Sequence, residues 1–112
     1  MNTLENNKII AEFMNKKVIS EADFLALNYE QMTNDLFVDT TLNYHSDWNW
    51  LMEVVEKIES LGYFFKIVSQ TSLIVDKDEK CISLSVYRKT KIVSTYEACV
   101  EFIKWYNEQQ KN

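Results

Sequence analysis

The chain has 112 residues, 46% of them hydrophobic and 13% aromatic, with one glycine and no proline. That suffices for one domain with a packed core, is too little for two, and leaves scant room for linkers or low-complexity segments. The net charge of −5 is uneven: residues 1–62 carry eleven acids and four bases, residues 63–112 six acids and eight bases, and between Glu21 and Glu59 nine acids meet one base, Lys57.

A duplex-binding protein needs a basic patch to displace counterions from phosphates, so direct nucleic-acid binding is disfavoured. No apolar run approaches the roughly 18 residues of a membrane span. The opening MNTLENNKII lacks the basic stretch and the roughly 7 to 15 apolar residues of a signal peptide, so a cytoplasmic location is expected. Cys81 and Cys99 form no CxxC pair and have no histidine at metal-like spacing; they read as reduced, buried small hydrophobes.

Ile9, Ile10, Phe13 and Met14 fall on one stripe of a first helix over Leu4 to Met14, with Asn15 as a left-handed stop. Ser20 with Asp23 resembles a second helix start, with Phe24, Leu27 and Met32 as its lining. LFVDTTLN, residues 36–43, is rich in β-branched residues and fits an edge strand.

The next helix is signalled at both ends. Ser46 or Asp47 can cap its first turn, and Gly62 follows Leu61 where positive φ is commonly needed. Trp48, Leu51, Met52, Val55 and Ile58 recur at helical spacing, opposite Asn49, Glu53, Glu56, Lys57 and Ser60. After Gly62 the period falls to two, and YFFKIVS (63–69), SLIVD (72–76) and CISLSVYR (81–88) read as three strands. Their short connections make antiparallel neighbours, since a parallel crossover needs about a dozen residues. In the third, Ile82, Leu84 and Val86 are expected on the buried face and Ser83, Ser85 and Tyr87 on the other. A last helix is expected from Thr95 to about Gln109, with Ser94 and Glu97 as a capping box and Tyr96, Cys99, Val100, Ile103 and Tyr106 as its stripe. The predicted fold is α+β: a three- or four-stranded antiparallel meander with two or three helices on one face.

The blocks YHSDWNWLMEVVEKIE (44–59), YEACVEFIKWYNE (96–108) and NKIIAEFM (7–14) resemble a family of small uncharacterised proteins of Bacteroidetes and the phages that infect them. The resemblance implies a setting, a bacterial cytoplasm or an infected cell, and transfers no activity, cofactor or functional residue.

YHSDWNW, residues 44–50, is the densest candidate site. A metal reading would use His45 and Asp47 with Asp39 or Asp35, but catalytic zinc usually takes three protein ligands, often several histidines, and the chain has one. An acid–base pair of His45 and Asp47, or a nucleophilic Cys81 or Cys99, has no phosphate loop, nucleophile elbow or carboxylate constellation beside it. Trp48 and Trp50 lie about 200° apart on a helical wheel. Trp48 is expected in the core; Trp50 is either part of a second buried side or a partly exposed anchor for a partner.

The sequence therefore points to a non-enzymatic interaction or accessory protein that binds another protein through an acidic and aromatic surface of Tyr44, His45, Trp50, Glu53 and Glu56, without a cofactor. If gathered on one face, the acids of residues 21–59 would suit a basic partner, as in a mimic of phosphates. The alternative is a small-molecule or nucleotide site, with or without catalysis, around Tyr44, His45, Asp47 and Trp50. Homodimerisation through a sheet face or edge is a further expectation.

Overall fold

A computed structural model describes residues 2–28, 30, 36–85 and 90–111. The fold is α+β: α1 (Thr3–Phe13), β1 (Lys17–Ile19), α2 (Glu21–Leu25), β2 (Leu36–Val38), a 3-10 turn (Asp39–Thr41), α3 (Trp48–Ser60), β3 (Phe64–Val68), β4 (Thr71–Val75), β5 (Cys81–Ser85) and α4 (Lys91–Gln110).

Local signals set most boundaries. Asn2 caps α1 by accepting from the Glu5 amide, and Asn15 at φ 61° ends it. Ser20 caps α2 through the Asp23 amide, Asp47 caps α3 through the Asn49 amide at 2.8 Å, and Gly62 at φ 100° turns the chain out of α3. The ammonium of Lys57 on α3 donates to the Phe13 carbonyl at the end of α1, where carbonyls lack helical partners.

The meander β3–β4–β5 is antiparallel as expected, but among the described residues no fourth strand joins it. β1 and β2 instead pair in parallel as a separate ribbon, Lys17 opposite Leu36 and Ile19 opposite Val38. Residues 20–35 between them are long enough for a parallel crossover. Residues 36–43 therefore form a strand only to Val38 and then wind into the 3-10 turn. Met32 and Asp35, like Val86 and Tyr87, lie outside the described residues.

The last helix begins earlier than Ser94. Thr90 caps α4, so Ser94 and Glu97 do not form its capping box. The reason is tertiary: Ser94 and Thr95 are buried against β4, where both hydroxyls meet the Ser72 hydroxyl, at 2.9 and 3.0 Å.

The core lies between the sheet and α1, α3 and α4, and is centred on Ile10, Leu51, Ile58, Ile74, Phe102 and Ile103, all fully buried. Phe102 sits among Phe13, Tyr63, Trp105 and Tyr106, with ring centroids 4.8 to 6.4 Å away.

The sheet's facing corrects the expectation for β5. Opposed residues in an antiparallel ladder share a face, which puts Ser72 with Ser85 and Ile74 with Ser83 on the side toward α4, all buried. Leu73 with Leu84, and Phe64 with Val75, take the other side, where Leu84 is 52% and Phe64 56% exposed. Serines go inward because α4 satisfies them: Ser83 Oγ donates to the Ala98 carbonyl at 2.8 Å and Ser85 Oγ to Glu97 Oε2 at 3.0 Å. Their small side chains also let the helix backbone approach the sheet.

Candidate functional site

The segment 44–50 is a structural junction. Tyr44 is fully buried, which corrects its placement on a surface: its ring offers no exposed area to a protein partner. Its hydroxyl has no hydrogen-bond partner among the described residues, and burial, with the nearby Glu53 charge, pushes its pKa up to about 12.

His45 is half-buried and its ring lies edge-on to Tyr96. Asn7 Nδ2 donates to the Leu42 carbonyl and to His45 Nδ1, both at 3.0 Å, and Asn7 Oδ1 accepts from the Tyr96 hydroxyl at 2.9 Å. A carbonyl only accepts, so it fixes the amide orientation; His45 Nδ1 is then the acceptor and the ring proton sits on Nε2. This network ties α1, the α3 approach and α4 together. Burial also pushes the Tyr96 phenol up to about 12.

Trp48 departs from its expected core position, and Trp50 takes the second buried side that was one of its two expected settings. Trp48, the first residue of α3, is 39% exposed, whereas Trp50 is half-buried and packs edge-on to Phe37 and Tyr44 at 6.2 and 5.1 Å. Val54 is fully buried with Leu51 and Ile58 and, with Trp50, adds a second side to the buried arc, where Phe37 and Tyr44 cover the Trp50 ring, while Trp48 stands at the open first residue of the helix.

Glu53 and Glu56 are exposed on the solvent side of α3. Of the other described acids before α3, Asp47 caps α3, Asp39 is buried with Oδ1 unpartnered among the described residues, and Glu21 and Asp23 belong to α2. The basis for phosphate mimicry is thereby reduced to α3, where Glu59 is also exposed. No group of three or more His, Cys, Asp or Glu is gathered at metal-binding distance among the described residues. Both cysteines are free. Cys99 is buried, which raises its thiol pKa, but Cys81 is exposed at the start of β5, contrary to the expectation that both are interior.

Two cavities lie away from Tyr44, His45, Asp47 and Trp50. One, of about 560 Å³, opens between α1, β5 and α4 and is lined in part by Glu5, Ile9, Leu84, Glu97, Glu101 and Lys104. The other, a dish of about 270 Å³, is lined by Phe64, Lys66, Val75, Lys77 and Glu79 on the outer side of the sheet.

That outer side enters the sequence expectations only as a homodimer contact, without its residues. Phe64, Val68 at 68% exposure and Leu84 sit there with half-buried Leu73, while α3 and α4 pack on the sheet from the inside. At 21 Å, the molecule's thinnest dimension matches one helix layer on one sheet. A signal was present in YFFKIV, where apolar residues occupy both parities of the strand, as in a sheet apolar on both sides.

No protein-family model matches the chain, and neither a curated protein nor a solved structure is significantly similar to it.

Proposed function

We propose that this chain is a non-enzymatic interaction protein that docks another protein on the open face of β3–β4–β5. The carrying observation is the cluster of Phe64, Val68 and Leu84, each more than half exposed on one face. Solvent-facing apolar clusters of this kind mark interaction surfaces. Lys66 and Lys77 against Glu79 leave the dish beside Phe64 with a net positive border, so the favoured partner segment presents apolar side chains flanked by carboxylates.

The groups that would carry chemistry are otherwise engaged, which supports the non-enzymatic reading. His45 Nδ1 accepts from Asn7, Asp47 caps α3, and Cys99 is sealed in the core. Glu53 and Glu56 lie on the opposite, helical layer, where they serve solubility and steering.

Cys81, the exposed thiol opposite Val75 at the edge of this face, gives direct access to it. A photoreactive maleimide at Cys81 is expected to crosslink a partner in extract of a Bacteroidetes cell, infected or not, the setting that the sequence resemblance implies. Leu84→Ser should abolish the adduct. An adduct equally strong with Leu84→Ser, in a folded protein, would sink the proposal.

A further inference from the structure

Asn15 at φ 61° closes α1, and the next residue, Lys16, returns its backbone N–H to the Ala11 carbonyl. Its ammonium lies 4.7 Å from the Phe37 ring centroid, 4.7 Å from that of Trp50 and 5.6 Å from that of Tyr44. Trp50 is nearly perpendicular to both other rings, at interplanar angles of 81° and 84°. Three segments, β2, the approach to α3 and its first turn, thus wall in one positive charge. Tyr44 is the buried floor, and Phe37, Trp50 and Lys16 are half-exposed at the mouth.

Ring faces attract a cation within about 6 Å, and all three satisfy that. They offer nothing, however, to the three N–H donors of a lysine ammonium, which is otherwise strongly hydrated. Among the described residues no carboxylate lies within ion-pair distance of Lys16 and no acceptor bonds its ammonium. A fully methylated ammonium has no donors to satisfy and keeps the whole ring attraction, so the walls fit that group better than the one they hold. Glu53, one turn after Trp50 and electrostatically in reach of Tyr44, adds a negative rim.

We propose that Phe37, Tyr44 and Trp50 form a binding site for a trimethylammonium group, with Lys16 as the internal occupant that such a ligand displaces. The site is separate from the open sheet face and does not depend on it. Trimethyllysine side chains and choline headgroups share this chemistry, and both belong in the test.

The test is a titration of wild type, Lys16→Ala, Lys16→Met and Trp50→Leu with tetramethylammonium, followed by nuclear magnetic resonance at the Trp50 indole N–H and, in wild type, at the Lys16 ε-methylene. Lys16→Ala is expected to bind roughly tenfold more tightly than wild type, the competing hold of Lys16 having been removed. The Trp50 variant is expected not to bind. Trimethyllysine amide and phosphocholine titrated separately then show which source the rim accepts, and free lysine should shift neither signal. Lys16→Met keeps the side chain's bulk and covers the case in which alanine unfolds the turn. The proposal is overturned if folded Lys16→Met and Lys16→Ala show no Trp50 shift, or if Trp50→Leu binds as well as they do.

Discussion

The two faces of the β3–β4–β5 sheet invert the usual arrangement, with serines buried on one and phenylalanine, valine and leucine exposed on the other. Ser72, Ser83 and Ser85 are at most 7% exposed, whereas Phe64, Val68 and Leu84 are at least 52% exposed. Both halves have a physical cause. A buried hydroxyl is tolerated when hydrogen-bonded, with a net contribution of about 1 kcal/mol per bond, and α4 supplies the partners. An exposed apolar face is tolerated when it is small or covered in use, and the second condition is the function proposed here.

Several substitutions test this contrast. The largest effect belongs beneath the serine face, where Phe102→Ala opens a cavity among four rings and is expected to cost about 3–5 kcal/mol in urea unfolding. Ser72→Leu comes next. It adds apolar bulk to a fully buried site and leaves Ser94 and Thr95 without their common partner, and should destabilise by about 1–3 kcal/mol. A gain in stability would refute the hydroxyl seam.

A pH effect follows from Tyr44 and Tyr96. Their phenols are held up to about 12 by burial, from an ordinary 10.0. The folded state keeps protons that the unfolded chain releases above pH 10, so this stabilisation is complete below that pH and lost as pH rises toward 12. The slope of unfolding free energy between these limits should lessen in Tyr44→Phe and Tyr96→Phe, and phenolate absorbance should show two late-titrating groups. The smallest change is on the open face: Leu84→Ser should alter stability by no more than about 0.5 kcal/mol.

Legibility followed the range of the forces involved. Caps at Asn15, Ser20, Asp47 and Gly62 were readable because a cap acts within a few residues. The strand positions were readable from their period, but alternation does not say which parity faces a helix; in β5 this depends on Ser83 finding Ala98, fifteen residues on. The helix start at Thr90 was hidden in the same way, because Ser94 looks like a cap until Ser72 is brought beside it. At YHSDWNW the expectation that failed besides Tyr44 was Trp48, which lies on the apolar stripe of the wheel but stands at the open first residue of α3. Tyr44 had no local mark of interior status. The β1–β2 ribbon and the ring cage around Lys16 join residues nineteen or more apart and left no pattern in any one stretch.

The central claim is that the apolar face of the sheet, and not the acidic face of α3, meets the partner. It is tested most directly by affinity capture from native extract with three folded proteins in parallel: wild type, Phe64→Ser/Leu84→Ser and Glu53→Gln/Glu56→Gln. The account predicts that the partner captured by wild type is lost from the first variant and retained by the second. Retention by the sheet variant together with loss from the α3 variant would contradict it.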